Sequence, residues 1–238
     1  MRIAILGATG RIGGHVLNWA LNAGYPVTAL ARSPEGLLQT AHRLDPLVLD
    51  AAGREAVGTA AWNGTPQGGA GLSVVRGDAL DKTAVAEVIA GADAVISALG
   101  PRGVKAPPPG VLTGAASNIV SAMRQTGARR LICVSAAGPF IAADPNMSWL
   151  VKQILPRILA KPSADVRGME DVIRESGLDW TLVRATRLVN GPGTGQYRVS
   201  PDYAPRGGGK IARADVAHFI AAALTGNSWL RSAPALAY

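Results

Sequence analysis

The chain has one cysteine, three histidines and an aromatic fraction of 5% in 238 residues. Each scarcity excludes something. A lone cysteine, Cys133, closes no intramolecular disulfide, and its place in the apolar run 131–134 marks it as a buried structural thiol rather than a reactive one. Three scattered histidines with one cysteine make no metal set, so no metal is expected. His15 and His218 fall inside helical patterns and read as structural. There is no G-x-S-x-G elbow, which leaves hydrolase chemistry without support. No apolar run reaches the roughly 18 to 20 residues that a membrane span needs. The first strand begins right after Met1 and leaves no room for a leader, so the expected setting is soluble and cytoplasmic.

Acidic residues are also few: 16 against 24 basic ones, a formal charge of +8. Such a balance can signal nucleic acid, but here the basic residues are scattered, and the densest groups are pairs such as Arg129-Arg130. No basic helix and no aromatic-interleaved basic stretch is present. Nucleic acid is therefore not the expected partner, nor is a membrane. Attraction of anionic cofactors and small-molecule substrates explains part of the charge more simply.

What the chain does have is an apolar fraction of 48%, enough to bury the core of one α/β domain spanning 1–238. Its most informative stretch comes first. Ile3–Leu6 is an apolar run of strand character. Gly7, Ala8, Thr9 and Gly10 form a tight turn, and a helical pattern carrying Arg11, Ile12 and Gly13 follows. Strand, glycine-rich turn and helix together place a pyrophosphate on the amides of a helix N-terminus. Gly7 allows the turn, Gly10 lets a phosphate approach the backbone, and Gly13 lets the helix pack close to the strand. The spacing is GxxGxxG rather than GxGxxG, so context carries the reading.

Strands continue to alternate with helices. Val27–Ala31 reads as a strand, followed by an uncertain stretch with a short helix over 35–43 and an exposed glycine-rich loop over 63–71. Leu72–Arg76 is a strand, and Asp81 is placed to cap a helix over Lys82–Ile89. Residues 94–98 form the next strand, and the Gly- and Pro-rich stretch 100–110 is a stiff loop. A helix over Val111–Thr126 and a strand over 131–135 come next. Residues 147–159 are apolar and helical, with Pro156 as a kink or boundary. A helix is expected over 164–176, a strand over 180–184, loops at 191–195 and 207–209, a helix over 215–224 and a last strand within 233–238. This alternation argues for a doubly wound parallel sheet, a Rossmann fold, with a small C-terminal substrate-side region and ligands across the carboxyl ends of the strands. The substrate-side segments are expected near 138–162 and 187–212.

The nucleotide can be read further. Cofactors without a 2′-phosphate are usually held by an acid after the second strand. This chain has Arg32 and Ser33 there instead, a guanidinium and a hydroxyl suited to a phosphate. Arg11 is a second cation within reach of the same group. NADP(H) is therefore expected over NAD(H). By topology, Asp78 and Ala79 meet the adenine, and Ala98, Leu99 and Gly100 line the pyrophosphate and ribose.

GATGRIG at the start, ARSP after the second strand, GDALD after the third and SALG after the fourth resemble the atypical short-chain dehydrogenases/reductases. With Ile173-Arg174-Glu175-Ser176-Gly177-Leu178-Asp179-Trp180-Thr181-Leu182-Val183-Arg184 and Ile211-Ala212-Arg213-Ala214-Asp215-Val216-Ala217, the chain resembles the NmrA-like and biliverdin reductase B-like (flavin reductase) group almost throughout. The resemblance implies an NADP-binding Rossmann domain with a small variable substrate region. It also implies a substrate-facing, catalytic hydroxyl at Ser135, and a nicotinamide carboxamide met by the backbone of Ala185 and Thr186. Typical members carry a Tyr-x-x-x-Lys pair on the helix before the sixth strand. This chain has no tyrosine between Tyr25 and Tyr197, so that helix lacks the pair. Ser148 and Lys152 have the spacing but lie too far ahead of the strand, and Lys161 is the lysine placed to reach the ribose.

Without a strong protein acid, a hydride can still pass to a conjugated acceptor that then takes its proton from water. The leading expectation is an NADPH-dependent reductase of a flavin- or quinone-like acceptor, with Trp149 and Leu150 covering a flat substrate. An NADP(H)-binding redox sensor acting through a protein partner, without turnover, is the alternative. An isomerase or epimerase with bound cofactor is a third. A homo-oligomer is compatible with each.

Overall fold

The structure, a computed structural model, describes residues 1–34, 37, 47–49, 55–57, 71–100, 109–146, 149, 152–154, 160–226 and 228–238. At its centre lies an eight-stranded sheet. Its strands are β1 (Ile3–Leu6), β2 (Val27–Ala31), β5 (Leu72–Arg76), β6 (Ala94–Ser97), β7 (Arg130–Ala136), β8 (Asp179–Ala185), β10 (Arg198–Pro201) and β12 (Pro234–Ala237), in the order β10-β12-β8-β7-β6-β1-β2-β5. All neighbours are parallel except β10 and β12. All four residues of β1 and of β6 are buried, which is why these strands read as short apolar runs rather than alternating ones. Two smaller ribbons complete the strands: β3 (Leu47–Leu49) with β4 (Glu55–Val57), antiparallel, and β9 (Arg187–Val189) with β11 (Lys210–Ala212), parallel.

Helices cover both faces. On one side α2 (Lys82–Ile89), α3 (Val111–Thr126) and α4 (Ala160–Arg174) bury Val85, Val88, Ile119, Met123 and Ile173 against the sheet. On the other, α1 (Arg11–Asn22) and α5 (Arg213–Thr225) lie side by side and bury Val16, Leu17, Val216 and Ile220. Cys133 sits in the first of these cores, and burial pushes its thiol up to about 12, as expected of an inert cysteine.

The chain winds outward from β1 through β2 to β5, then crosses back to β6 on the other side of β1. The order therefore reverses between β1 and β6, and their carboxyl ends open the crevice in which a doubly wound fold takes its ligand. The expected α/β sheet stands, with differences at the element ends. α4 starts at Ala160 rather than 164, because Pro162 lies in its first turn, where a missing N–H is tolerated. It ends at Arg174, ahead of Gly177 at φ +72. α5 starts two residues before the expected 215. The three- and four-residue strands β9, β10 and β11 were not expected, since distant partners rather than local pattern create them. The helix expected over 35–43, the loop expected over 63–71, the stretch 101–108 and most of 147–159 lie outside the described residues, apart from single positions such as Leu37 and Gly71. Of the last segment, Trp149 and residues 152–154 are helical.

Candidate functional site

At the crevice, β1 delivers the chain to Gly7, whose φ is +87. A Cβ there would lie 2.7 Å from the carbonyl oxygen of Ala98, so only glycine lets the turn cross the end of β6 this closely. The Gly7 carbonyl accepts from the Gly10 amide at 2.8 Å and closes the turn. A Cβ on Gly13 would lie 2.1 Å from that same carbonyl, so this glycine seats α1 against the turn. Gly10 caps α1 in an extended conformation with no side chain on the helix amides, and no acid lies in the first turn. The amides of Arg11, Ile12 and Gly13 precede the first intrahelical bond, from Gly14 to Gly10, and carry the positive end of the helix dipole.

Three other helix starts are treated differently. Asp81 caps α2 by accepting from the amides of Thr83 (2.9 Å) and Ala84 (3.4 Å). Asp165, reaching over from α4, caps α3 by accepting from the amides of Leu112 (2.9 Å) and Thr113 (3.0 Å) and from the Thr113 hydroxyl (2.8 Å). Burial alone would raise its carboxyl, but these hydrogen bonds outweigh it and hold Asp165 below the usual carboxylate value. α5 has Asp215 in its first turn. Like α4, α1 has no acid in its first turn, and it is the start that follows directly on the glycine turn at the crevice, a place suited to a phosphate.

On the far side, Arg32 follows β2 and Asp78 follows β5. Their side chains approach to 3.7 Å and are 63% and 47% exposed. A solvated pair of this kind is worth under about 1 kcal/mol, so Arg32 can turn to a phosphate. Asp78 also accepts from the Leu80 amide at 2.9 Å, and the buried Asn118 side chain donates to the Ala79 carbonyl at 3.0 Å. The loop expected to face the adenine is thus fixed at two points. Ser33 is exposed beside Arg32. Arg11 leans the other way, donating to Asn190 at 3.4 Å.

After β6, Ala98 and Leu99 are half-buried and Gly100 is exposed, with nothing within 4 Å of the place of its missing Cβ. Ser135 lies near the end of β7. It is buried, and its hydroxyl donates to Glu170 at 2.6 Å. Glu170 also accepts twice from Arg184, at 2.6 and 3.0 Å, and Arg184 lies over the Phe140 ring at 3.4 Å. Removing one member would strand a buried charge, so the set acts as a structural clamp beneath the carboxyl ends of β7 and β8. The Thr186 amide (3.3 Å) and hydroxyl (2.9 Å) both donate to the Leu236 carbonyl, because β12 runs beside β8. The Ala185 carbonyl accepts from Ala137. Lys161 falls in the first turn of α4 rather than just before it, and Trp149 is 70% exposed. Leu150 lies outside the described residues.

A sequence profile described as NAD(P)H-binding matches residues 7–65 and 63–227. The chain belongs to this NAD(P)H-binding family. A protein named uncharacterized sugar epimerase YhfK, from Bacillus subtilis (strain 168), is 29% identical over 227 residues, 94% of this chain and 88% of that one. Among solved structures, a short-chain dehydrogenase/reductase of Veillonella parvula DSM 2008 in complex with NADP has a TM-score of 0.72 at 20% identity, over 100% of this chain and 94% of that one. ChuY, an anaerobillin reductase from Escherichia coli O157:H7, has a TM-score of 0.71 at 20% identity, over 100% of this chain and 97% of that one. The two solved structures share the fold of this chain.

The residues fit the family's cofactor. A glycine-built turn, a glycine cap at α1 with no acid in its first turn, and Ala98 and Gly100 after β6 offer backbone and space where a dinucleotide's phosphates and riboses would lie. Sequence reasoning missed Asp165, Asn118, Glu170, Asn190 and Arg213 as parts of this region. Arg184 and Arg213 stood inside recognised segments, but no pattern along the chain told what they would touch. Asp165 and Thr113 are 52 residues apart, and that distance hides the cap.

Proposed function

We propose that this chain is an NADPH-dependent reductase that passes a hydride to a conjugated small-molecule acceptor of flavin or quinone type. The observation that carries the reading is the α1 start free of acid, with Arg32 where an NAD-preferring site would place a carboxylate. The α1 amides hold the pyrophosphate, Arg32 and Ser33 bind the 2′-phosphate, and the Asp78–Ala79 loop, pinned by Asn118, borders the adenine. Ala98, Leu99 and Gly100 let the cofactor lie close to the backbone. The nicotinamide, when bound, supplies the hydride.

The chain's own residues then determine which acceptor can be used. No tyrosine lies on α4, and the Ser135 proton is committed to Glu170. An ordinary ketone needs a protein acid, whereas a flavin or quinone takes the hydride and collects its proton from water. The protein's role is then positioning and exclusion of side reactions. Residues near 138–162 and 187–212 form the acceptor side, with Trp149 exposed to cover a flat ring and Lys161 at the start of α4 toward the ribose. The solved NADP complex from Veillonella parvula and the reductase ChuY support this direction.

The test is NADPH oxidation by the purified protein against a panel of flavins and quinones, with NADH as control. Turnover with NADPH and little with NADH is expected. Tight NADPH binding without turnover on any acceptor would overturn the reductase reading and favour a redox sensor that signals to a partner. The Trp149→Ala variant should weaken acceptor use and spare NADPH binding, and equal loss of both would remove Trp149 from the acceptor side.

A further inference from the structure

Two arginines open two neighbouring helices at the crevice. Arg11 is the first residue of α1 and Arg213 the first of α5. The parallel register of β9 and β11 pairs Val189 with Ala212, so the next residues, Asn190 and Arg213, emerge side by side. The Asn190 side-chain oxygen accepts from Arg213 at 2.8 Å and from Arg11 at 3.4 Å. Guanidinium groups only donate, so the amide must turn its oxygen to both, and one oxygen leaves most of their donors for another partner.

Among the described residues, neither arginine has a carboxylate partner. The acid of the same turn, Asp215, is engaged elsewhere: it accepts from the amides of Thr194 and Gly195, each at 2.8 Å, and from the Tyr238 hydroxyl. Burial and the nearby Arg11 charge pull the Arg213 guanidinium below its ordinary value. Two like charges held together without an acid between them are unfavourable until an anion arrives, and two guanidiniums can grip phosphate or carboxylate oxygens.

Location narrows the source of that anion. Arg32 and the adenine loop lie on the β2–β5 side of β1, whereas Asn190 follows the strand after β8, on the opposite side. The pair therefore flanks the α1 amides on the acceptor side. We propose that Arg11 and Arg213, bridged by Asn190, bind an acidic substituent, a phosphate or carboxylate, of the hydride acceptor. This rests on the reductase reading for the acceptor's role, but the anion site itself can be tested without turnover.

The probe pairs are FMN with riboflavin, which differ by one phosphate, and 1,4-naphthoquinone-2-sulfonate with 1,4-naphthoquinone. Binding to the protein saturated with NADP⁺ is followed by flavin fluorescence or by calorimetry. The charged member of at least one pair should bind about tenfold or more tighter, and Arg213→Gln or Arg11→Gln should erase that gap while leaving the neutral member within about twofold. Melting temperature and NADPH affinity are measured on the same variants. If charged and neutral members bind alike in both pairs, the proposal fails. If NADPH affinity falls as far as FMN affinity, the pair serves the cofactor's pyrophosphate, and the proposal fails in that way. A charge gap that persists without any turnover would leave the anion site standing and sink the reductase. Turnover without a charge gap would do the reverse.

Discussion

Helices α1 and α3 both begin at the carboxyl edge of the sheet, on either side of the crevice, and the chain completes them in opposite ways. α3 receives the carboxylate of Asp165 from a neighbouring helix, two backbone amides and one hydroxyl converging on it. α1 has a glycine, Gly10, as its cap, and its first turn carries no acid. The backbone amides and dipole at the two starts are alike in kind. What separates a structural helix start from a ligand-binding one is whether the protein supplies the anion itself. α3 is finished on folding, whereas in the proposed cofactor site a phosphate would finish α1.

The sharpest way to break this contrast is to give α1 its own carboxylate. Gly10 has φ −80 and ψ 166, an ordinary cap conformation for any residue. In Gly10→Asp the new carboxylate would accept from the Ile12 and Gly13 amides, as Asp81 does at the same positions of α2. Its Cβ would lie 3.0 Å from the Gly7 carbonyl oxygen, so the turn must give by a few tenths of an ångström to admit it. NADPH affinity should fall by about a hundredfold or more through lost amides and charge repulsion, while stability is unchanged or up to about 1 kcal/mol higher. Gly10→Ala carries the same Cβ without the charge and should lose far less affinity. If titration finds the two variants equally weak, space rather than charge controls the site.

Next in size is the choice between the two nicotinamide cofactors. Arg32→Ala should reduce NADPH affinity by about ten- to a hundredfold and leave NADH affinity nearly unchanged, since a charge-assisted bond is worth about 1.5–3 kcal/mol. Loss of both affinities together would mean that Arg32 holds the loop through Asp78 rather than reading the 2′-phosphate. Smaller again is the effect of emptying the other helix start. Asp165→Ala should lower unfolding free energy by about 1–2 kcal/mol in a denaturant titration. NADPH affinity should stay within about twofold, because α3's amides are not part of the phosphate site. A large affinity loss in this variant would erase the distinction between the two helices.

The sequence made α1 legible and α3's completion invisible, for a physical reason. Gly7, Gly10 and Gly13 act within one turn of each other, so their spacing already carries the geometry. Likewise Arg32 announces itself by standing where an acid is expected. Asp165 and Thr113, Ser135 and Glu170, and Arg11 and Arg213 meet only after the sheet has formed. Local pattern therefore located the glycine turn at the crevice, and left the clamp under β7 and β8 and the cation pair to the tertiary structure. Ser135 lies near the end of β7, as its position along the chain suggests, but its Glu170 partner comes from a distant helix that local pattern does not show.

The contrast also has a pH signature, the smallest effect expected. Asp165 titrates below its ordinary value of 3.8 in the folded chain. As pH falls, the unfolded chain takes up this proton first, so the native state binds fewer protons and loses stability. The contribution is complete well above 3.8 and is lost as pH falls toward the lower folded value. His15 and His218 are also held below their ordinary value of 6.5, by burial, so they add acid sensitivity in a higher window. Subtracting Asp165→Asn from the parent chain cancels the histidines and isolates the carboxylate. Urea unfolding from about pH 6 to about pH 3 should show the two stability curves converging only in the lower part of that range. Curves that stay parallel throughout would mean that the α3 cap does not depend on the charge of Asp165, and the comparison with α1 would then rest on geometry alone.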